Sequence, residues 1–117
     1  ASMSLKLVVL GSNGFIGSRL ALALCKLKQF YISPTEQLSL DKIILFDISE
    51  SKDEYFKQQI ALDPRCKFIT GDLCDKALML RLLDPRNRYS RVTVIHLAAV
   101  LSGYCETDFD LGMKVNL

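Results

Sequence analysis

The chain has 117 residues, half of them apolar and 24% charged, with a formal net charge of +2. That balance fits one globular domain and no more. The near-neutral charge gives no global attraction for nucleic acid or an anionic membrane, and the longest apolar stretch, residues 92–101, is too short to cross a bilayer. Neither partner is therefore expected. The opening Ala-Ser-Met-Ser lacks the basic and apolar regions of a signal peptide, so residues 1–4 read as an expression remnant and lead-in to one domain over residues 5–117. The cysteines, Cys25, Cys66, Cys74 and Cys105, form no C-x-x-C pair, and His96 is the single histidine. This argues for reduced thiols in a cytoplasmic protein, against a disulfide scaffold, and for no metal site.

Residues 5–10 are an apolar, β-branched run that ends at glycine, as a buried parallel strand does. Residues 15–27 carry apolar side chains at helical spacing. Residues 29–41 contain Ser33-Pro34 and several polar groups and read as a loop. The run K-I-I-L-F-D at 42–47 predicts a second strand, and residues 50–62 a short helix broken at Asp63-Pro64. A third strand is expected over 66–70. Asp75 is placed to cap a helix over 76–83, which stops at Asp84-Pro85. R-V-T-V-I-H-L at 91–97 predicts a fourth strand, and residues 107–117 a helix. Strands alternating with helices imply an α/β fold: a Rossmann-like, doubly wound parallel sheet, here its N-terminal part with about four strands.

Between the first strand and the first helix stands G-S-N-G-F-I-G. Gly11 permits a tight turn, Gly14 lets a backbone approach a pyrophosphate, and Gly17 lets the helix pack closely on the strand. Phosphates placed there meet free N–H groups and the positive end of a helix dipole. Asp47 ends the second strand, where a carboxylate accepts hydrogen bonds from both ribose hydroxyls of adenosine and repels a 2′-phosphate. NAD is favoured over NADP on that ground. Asp47 lies 30 positions after Gly17, and the 29–41 segment accounts for the unusual length.

The motif G-S-N-G-F-I-G resembles the G-x-x-G-x-x-G of the extended short-chain dehydrogenase/reductase family. G-D-L at 71–73 resembles that family's adenine-pocket motif, H-L-A-A at 96–99 its fourth-strand motif, and V-N-L at 115–117 the start of its next helix motif. The resemblance implies NAD binding by Gly11, Asn13, Gly14, Phe15, Ile16, Gly17, Asp47, Ile48, Asp72, Leu73, Leu97, Ala98, Ala99, Val100 and Asn116, with Ser102 on the substrate side. The stretch A-A-V-L-S-G-Y-C-E-T-D-F-D-L-G is similar to the branch of the family that acts on small sugar acids such as D-erythronate. Leu10 stands where a threonine usually opens the glycine motif, and Tyr104 and Cys105 where small or acidic residues are usual.

The family's Y-x-x-x-K is missing: the residues four positions after Tyr31, Tyr55, Tyr89 and Tyr104 are Thr35, Gln59, Thr93 and Asp108. The resemblance implies that the catalytic residues lie beyond Leu117, that this chain alone is inactive, and that the full-length enzyme is a homodimer with a small-molecule substrate. A nucleotide-sugar epimerase or dehydratase shares the same N-terminal motifs, and a non-catalytic dinucleotide sensor shares the fold. His96, in a strand beside the cofactor wall, reads as a packed residue rather than a base. The basic P-R-N-R-Y-S-R at 85–91 precedes the fourth strand and reads as a solvated loop, on the side away from the ligand crevice.

Overall fold

The computed structural model describes residues 3–84 and 89–97. In chain order the elements are β1 (Ser4–Leu10), α1 (Phe15–Leu24), β2 (Gln29–Ser33), β3 (Glu36–Asp47), α2 (Glu54–Ala61), β4 (Cys66–Thr70), α3 (Lys76–Leu83) and β5 (Arg91–His96). Four strands form a parallel ladder in the order β4-β3-β1-β5. The helix expected over 107–117 lies outside the described residues.

β1 is the centre of the sheet. Its residues Leu5 to Leu10 are buried without a break, including Lys6. Alternation of side chains sends Leu5, Leu7 and Val9 to one face, where they meet Ala21 and Leu24 of α1 and Phe56 and Ile60 of α2. It sends Val8 and Leu10 to the other, against Met79 and Leu82 of α3. A strand covered on both faces has to be apolar throughout, which is why β1 and the second half of β3 read as continuous runs. Lys6 is the exception, and burial lowers its ammonium pKa.

Residues 29–41 correct the sequence reading. They are not a loop but strand β2 and the first part of β3, an antiparallel hairpin joined through Pro34 and Thr35. The sheet therefore has five strands rather than about four. In β3, Leu38 and Leu40 are buried while Gln37 and Asp41 are exposed. That two-residue period is diluted by polar side chains and was masked by proline. Asp41 has no partner in the β1–β3 register, which shifts between Leu5 and Lys6. The bulge lies where β3 exchanges β2 for β4 as its outer neighbour.

α1 and α2 are shorter than their sequence patterns, while α3 spans the expected residues. α2 starts only at Glu54 because the Asp53 side chain accepts from Phe56 N–H; Asp75 caps α3 in the expected way through Leu78 N–H. Phe56 packs edge-on to Phe68 of β4, with centroids 5.6 Å apart.

Arg65 staples the pole of the sheet where the strands begin. Its guanidinium donates to the backbone carbonyls of Cys25, Leu27 and Leu40 and to both oxygens of Asp63. The α1 C-terminus, β3 and the turn into β4 thus share one cation. The same guanidinium holds the Asp63 carboxyl below its ordinary pKa. A depressed acid stabilises the fold at pH above its unfolded value, and that stability is lost as pH falls through the folded one. Arg65→Ala should cost about 3 kcal/mol in urea unfolding, since it strips three carbonyls and leaves Asp63 unpaired. Wild type should lose more stability than the variant between about pH 5 and pH 2; parallel losses would show that the pair does not govern acid sensitivity.

Candidate functional site

The C-terminal ends of β1, β3 and β4 converge on the glycine-rich turn. Gly11 has φ of 93°, which L side chains rarely adopt. Its N–H and that of Ser12 both donate to the Phe46 carbonyl, at 2.8 and 3.2 Å. The turn is thereby hung on the last residues of β3. Ser12 is fully buried beneath it.

Gly17 and Gly14 serve different ends. A Cβ on Gly17 would collide with the Gly11 carbonyl oxygen and come within 2.9 Å of the Ser12 Cα. Only glycine lets α1 sit this close to the turn. A Cβ on Gly14 would meet only the Gly11 oxygen, at an ordinary 3.7 Å. No packing within the described residues requires glycine at 14.

The space beside Gly14 is open, and it faces the start of α1. Gly14 is the N-cap and no side chain caps the helix. The first bond of the helix runs from Ser18 N–H to the Gly14 carbonyl at 2.9 Å. The helix itself thus leaves the N–H groups of Phe15, Ile16 and Gly17 unclaimed. Phe15 and Ile16 are 72% and 65% exposed, and Arg19 stacks on the Phe15 ring at 4.2 Å. An uncapped helix start, a close backbone and no acidic residue in the first turn together suit an anion.

Asp47 stands one residue beyond the Phe46 carbonyl. One carboxylate oxygen accepts from Asn13 N–H at 2.8 Å and the other from Ile48 N–H at 2.7 Å. Asp47 therefore fixes the turn as well as facing outward, a role the sequence did not disclose. Each oxygen retains acceptor capacity. Asn13 completes the clamp by donating through Nδ2 to the Ser49 carbonyl. Its Oδ1 is buried and meets no donor among the described residues, so it is an acceptor in reserve.

Beyond Asp47 lies a pocket of about 260 Å³ lined by Asn13, Asp47, Ser49, Glu50, Ser51, Lys57 and Thr70, with Leu45 and Phe68 at its apolar wall. Sequence reasoning missed Ser49, Glu50, Ser51, Lys57 and Thr70. No motif marks them, and only the fold gathers three segments here. Asp72 accepts from Cys74 N–H at 2.8 Å, which shapes the turn after β4. Gly71 N–H bonds the Asp47 carbonyl, and Leu73 packs on the α3 side of the core. Leu97 N–H bonds the Leu10 carbonyl at 2.8 Å, bringing the end of β5 to the same rim.

The structure thus gathers Gly11, Asn13, Gly14, Phe15, Ile16, Gly17, Asp47, Ile48 and Leu97 at one end of the sheet, with Asp72 and Leu73 in the turn that leaves the neighbouring strand. Ala98, Ala99, Val100, Ser102 and Asn116 lie outside the described residues. Arg91 of the basic stretch is at the start of β5, the opposite pole, near Glu36.

No protein-family model matches the chain. A curated relative, D-erythronate dehydrogenase of Cupriavidus necator, is 33% identical over 113 residues, which cover 97% of this chain and 31% of that protein. The similarity runs over nearly the whole chain and agrees with the resemblance of its motifs to the extended short-chain dehydrogenase/reductase family. The chain spans about a third of the length of the relative it matches. Among solved structures, dTDP-glucose 4,6-dehydratase from Bacillus anthracis, determined in complex with NAD, superposes with a TM-score of 0.58 at 22% identity, over 83% of this chain and 27% of that one. That likeness shows a shared Rossmann-like fold. No helix among the described residues is long and apolar enough to cross a membrane.

Among the described residues, Cys25 and Cys66 are free thiols.

The two glycines separate packing from function. Gly17→Ala should destabilise by at least about 1–3 kcal/mol through overpacking. Gly14→Ala should cost under about 1 kcal/mol, because its φ of −70° accepts a side chain. Urea unfolding of both variants checks this, and equal losses would contradict the assignment of the close contact to Gly17.

Proposed function

We propose that this chain is the adenosine- and pyrophosphate-binding part of an NAD-dependent oxidoreductase acting on a small sugar acid. The observation that carries the reading is the uncapped N-terminus of α1 behind an open Gly14, with the Asp47 carboxylate fixed beside it. Phosphate oxygens would take the unclaimed N–H groups of Phe15, Ile16 and Gly17. The Asp47 carboxylate, held by Asn13 and Ile48 and retaining lone pairs, would accept the ribose hydroxyls. Adenine would extend toward the turns that carry Ile48, Asp72 and Leu73, and Leu97 to Val100 would line the cofactor farther along. The residues fit such a group because the cradle offers donors where the cofactor is anionic and acceptors where it carries hydroxyls.

Bound NAD supplies a hydride acceptor. The chain's own residues bind and orient it. Burial of Ser12 and close packing of Gly17 keep the turn rigid, so the N–H groups need no rearrangement to meet the phosphates. By resemblance to the family, a tyrosinate whose pKa a lysine lowers would remove the hydroxyl proton, a Y-x-x-x-K pair that these 117 residues do not contain, with Ser102 on the substrate side. A sugar-acid substrate is supported by the 33% identity to D-erythronate dehydrogenase, a protein named for that substrate.

Titration calorimetry of the full-length protein tests cofactor choice. Asp47 should favour NAD over NADP, and Asp47→Ser should narrow the ratio by about 1–3 kcal/mol as a charged hydrogen-bond acceptor and a repulsive charge are lost. An unchanged ratio would remove Asp47 from the ribose. Gly14→Val should fold normally yet lose NAD affinity by at least tenfold, about 1.4 kcal/mol; wild-type affinity would show that the phosphates bind elsewhere.

A further inference from the structure

At the pole of the sheet opposite the cradle, Cys25 and Cys66 bring their Sγ atoms to 3.4 Å. Both are free thiols, half-buried and packed against the core of the α1 face. Both are also held by regular backbone. Cys25 is the C-cap of α1, its N–H bonded to the Ala21 carbonyl at 3.1 Å. Cys66 opens β4 opposite Ile43, its N–H bonded to the Asp63 carbonyl at 3.1 Å. The fold thus fixes the two backbone positions from which these sulfurs meet.

Asp63 completes a cluster of metal-ligating types with the two cysteines. Its carboxylate is held chiefly by Arg65, Oδ1 accepting from Arg65 N–H and Nε and Oδ2 from Nη2 at 2.7 Å, and it also hydrogen-bonds the Cys25 thiol. A cation there would have to displace a guanidinium that also holds three carbonyls. The chemistry left to the cluster is that of a dithiol.

We propose that Cys25 and Cys66 are a dithiol modification site that closes to a disulfide under a disulfide oxidant such as oxidised glutathione. The Cys25 thiolate, favoured by a hydrogen bond from the Cys66 thiol, attacks one glutathione sulfur and releases one glutathione. The Cys66 thiolate then attacks the mixed disulfide at Cys25 and releases the second. The protein loses two electrons and two protons, and the two glutathione molecules carry both away. Burial pushes both thiols up, Arg65 favours the thiolates and Asp63 opposes them. Exchange is therefore slow near neutral pH and calls for incubation over hours. The bond would tie the end of α1 to the start of β4 across 41 positions and stabilise by restricting the unfolded chain. It lies at the far end of α1 from Gly14, so the proposal stands independently of the dinucleotide site.

The protein is equilibrated with mixtures of reduced and oxidised glutathione, alkylated, digested and mapped by mass spectrometry. The expected product is a Cys25–Cys66 linked peptide lighter by two hydrogens, with a thermal midpoint raised by several degrees and restored by dithiothreitol. C66S should lose both the linked peptide and the rise; if that variant does not fold, the map of the unmutated protein decides. Glutathione adducts remaining singly on Cys25 or Cys66, linkage of either to Cys74, or no linked peptide at full oxidation would overturn the proposal.

Discussion

The approach of α1 to the turn after β1 is the constraint on which the site depends. Gly17 lies so near the Gly11 carbonyl and the Ser12 backbone that no side chain fits between them. This contact brings the positive end of α1 to the edge of the central strand. It also buries Ser12 and leaves the helix start without a side-chain cap. A helix whose first N–H groups lack acceptors carries a standing cost, and a ligand anion removes it.

The rest of the fold serves that placement. Because β1 is apolar on both faces, helices cover it on both sides and the sheet cannot slip by one residue without exposing a core face. The register therefore carries Leu10 to Phe46 on one side and to His96 on the other. The three strand ends arrive level. The Phe46 carbonyl then receives Gly11 and Ser12, and Asp47 receives Asn13. At the other pole Arg65 performs the matching task for the strand beginnings and the end of α1. One charged group at each end of the sheet gathers backbone that the apolar core alone would leave unpaired.

Legibility in the sequence followed the range of the interactions. The glycine turn was legible because its three glycines and the flanking strand and helix lie within a few positions, and Asp47 because it ends an apolar run. The β2–β3 hairpin was not: its buried Leu38 and Leu40 alternate with polar residues beside Pro34, and no local rule distinguishes that from a loop. The clamp from Asn13 to Asp47, the pocket residues Ser49, Lys57 and Thr70, and the cluster of Cys25, Asp63, Arg65 and Cys66 all join side chains tens of positions apart. Only topology brings such groups together. Gly14 is the inverse case. The sequence marks it, and packing among the described residues does not demand it, in keeping with the proposed phosphate contact.

The central claim is that the open helix start receives the phosphates of a dinucleotide. Amide NMR of the isotope-labelled protein during titration with NAD tests it most directly. The account predicts saturable shifts concentrated at Gly14 through Ser18 and at Ile48, with little change around Arg65 and Cys66 at the other pole. Saturable binding that leaves the Phe15, Ile16 and Gly17 amides unmoved would contradict it.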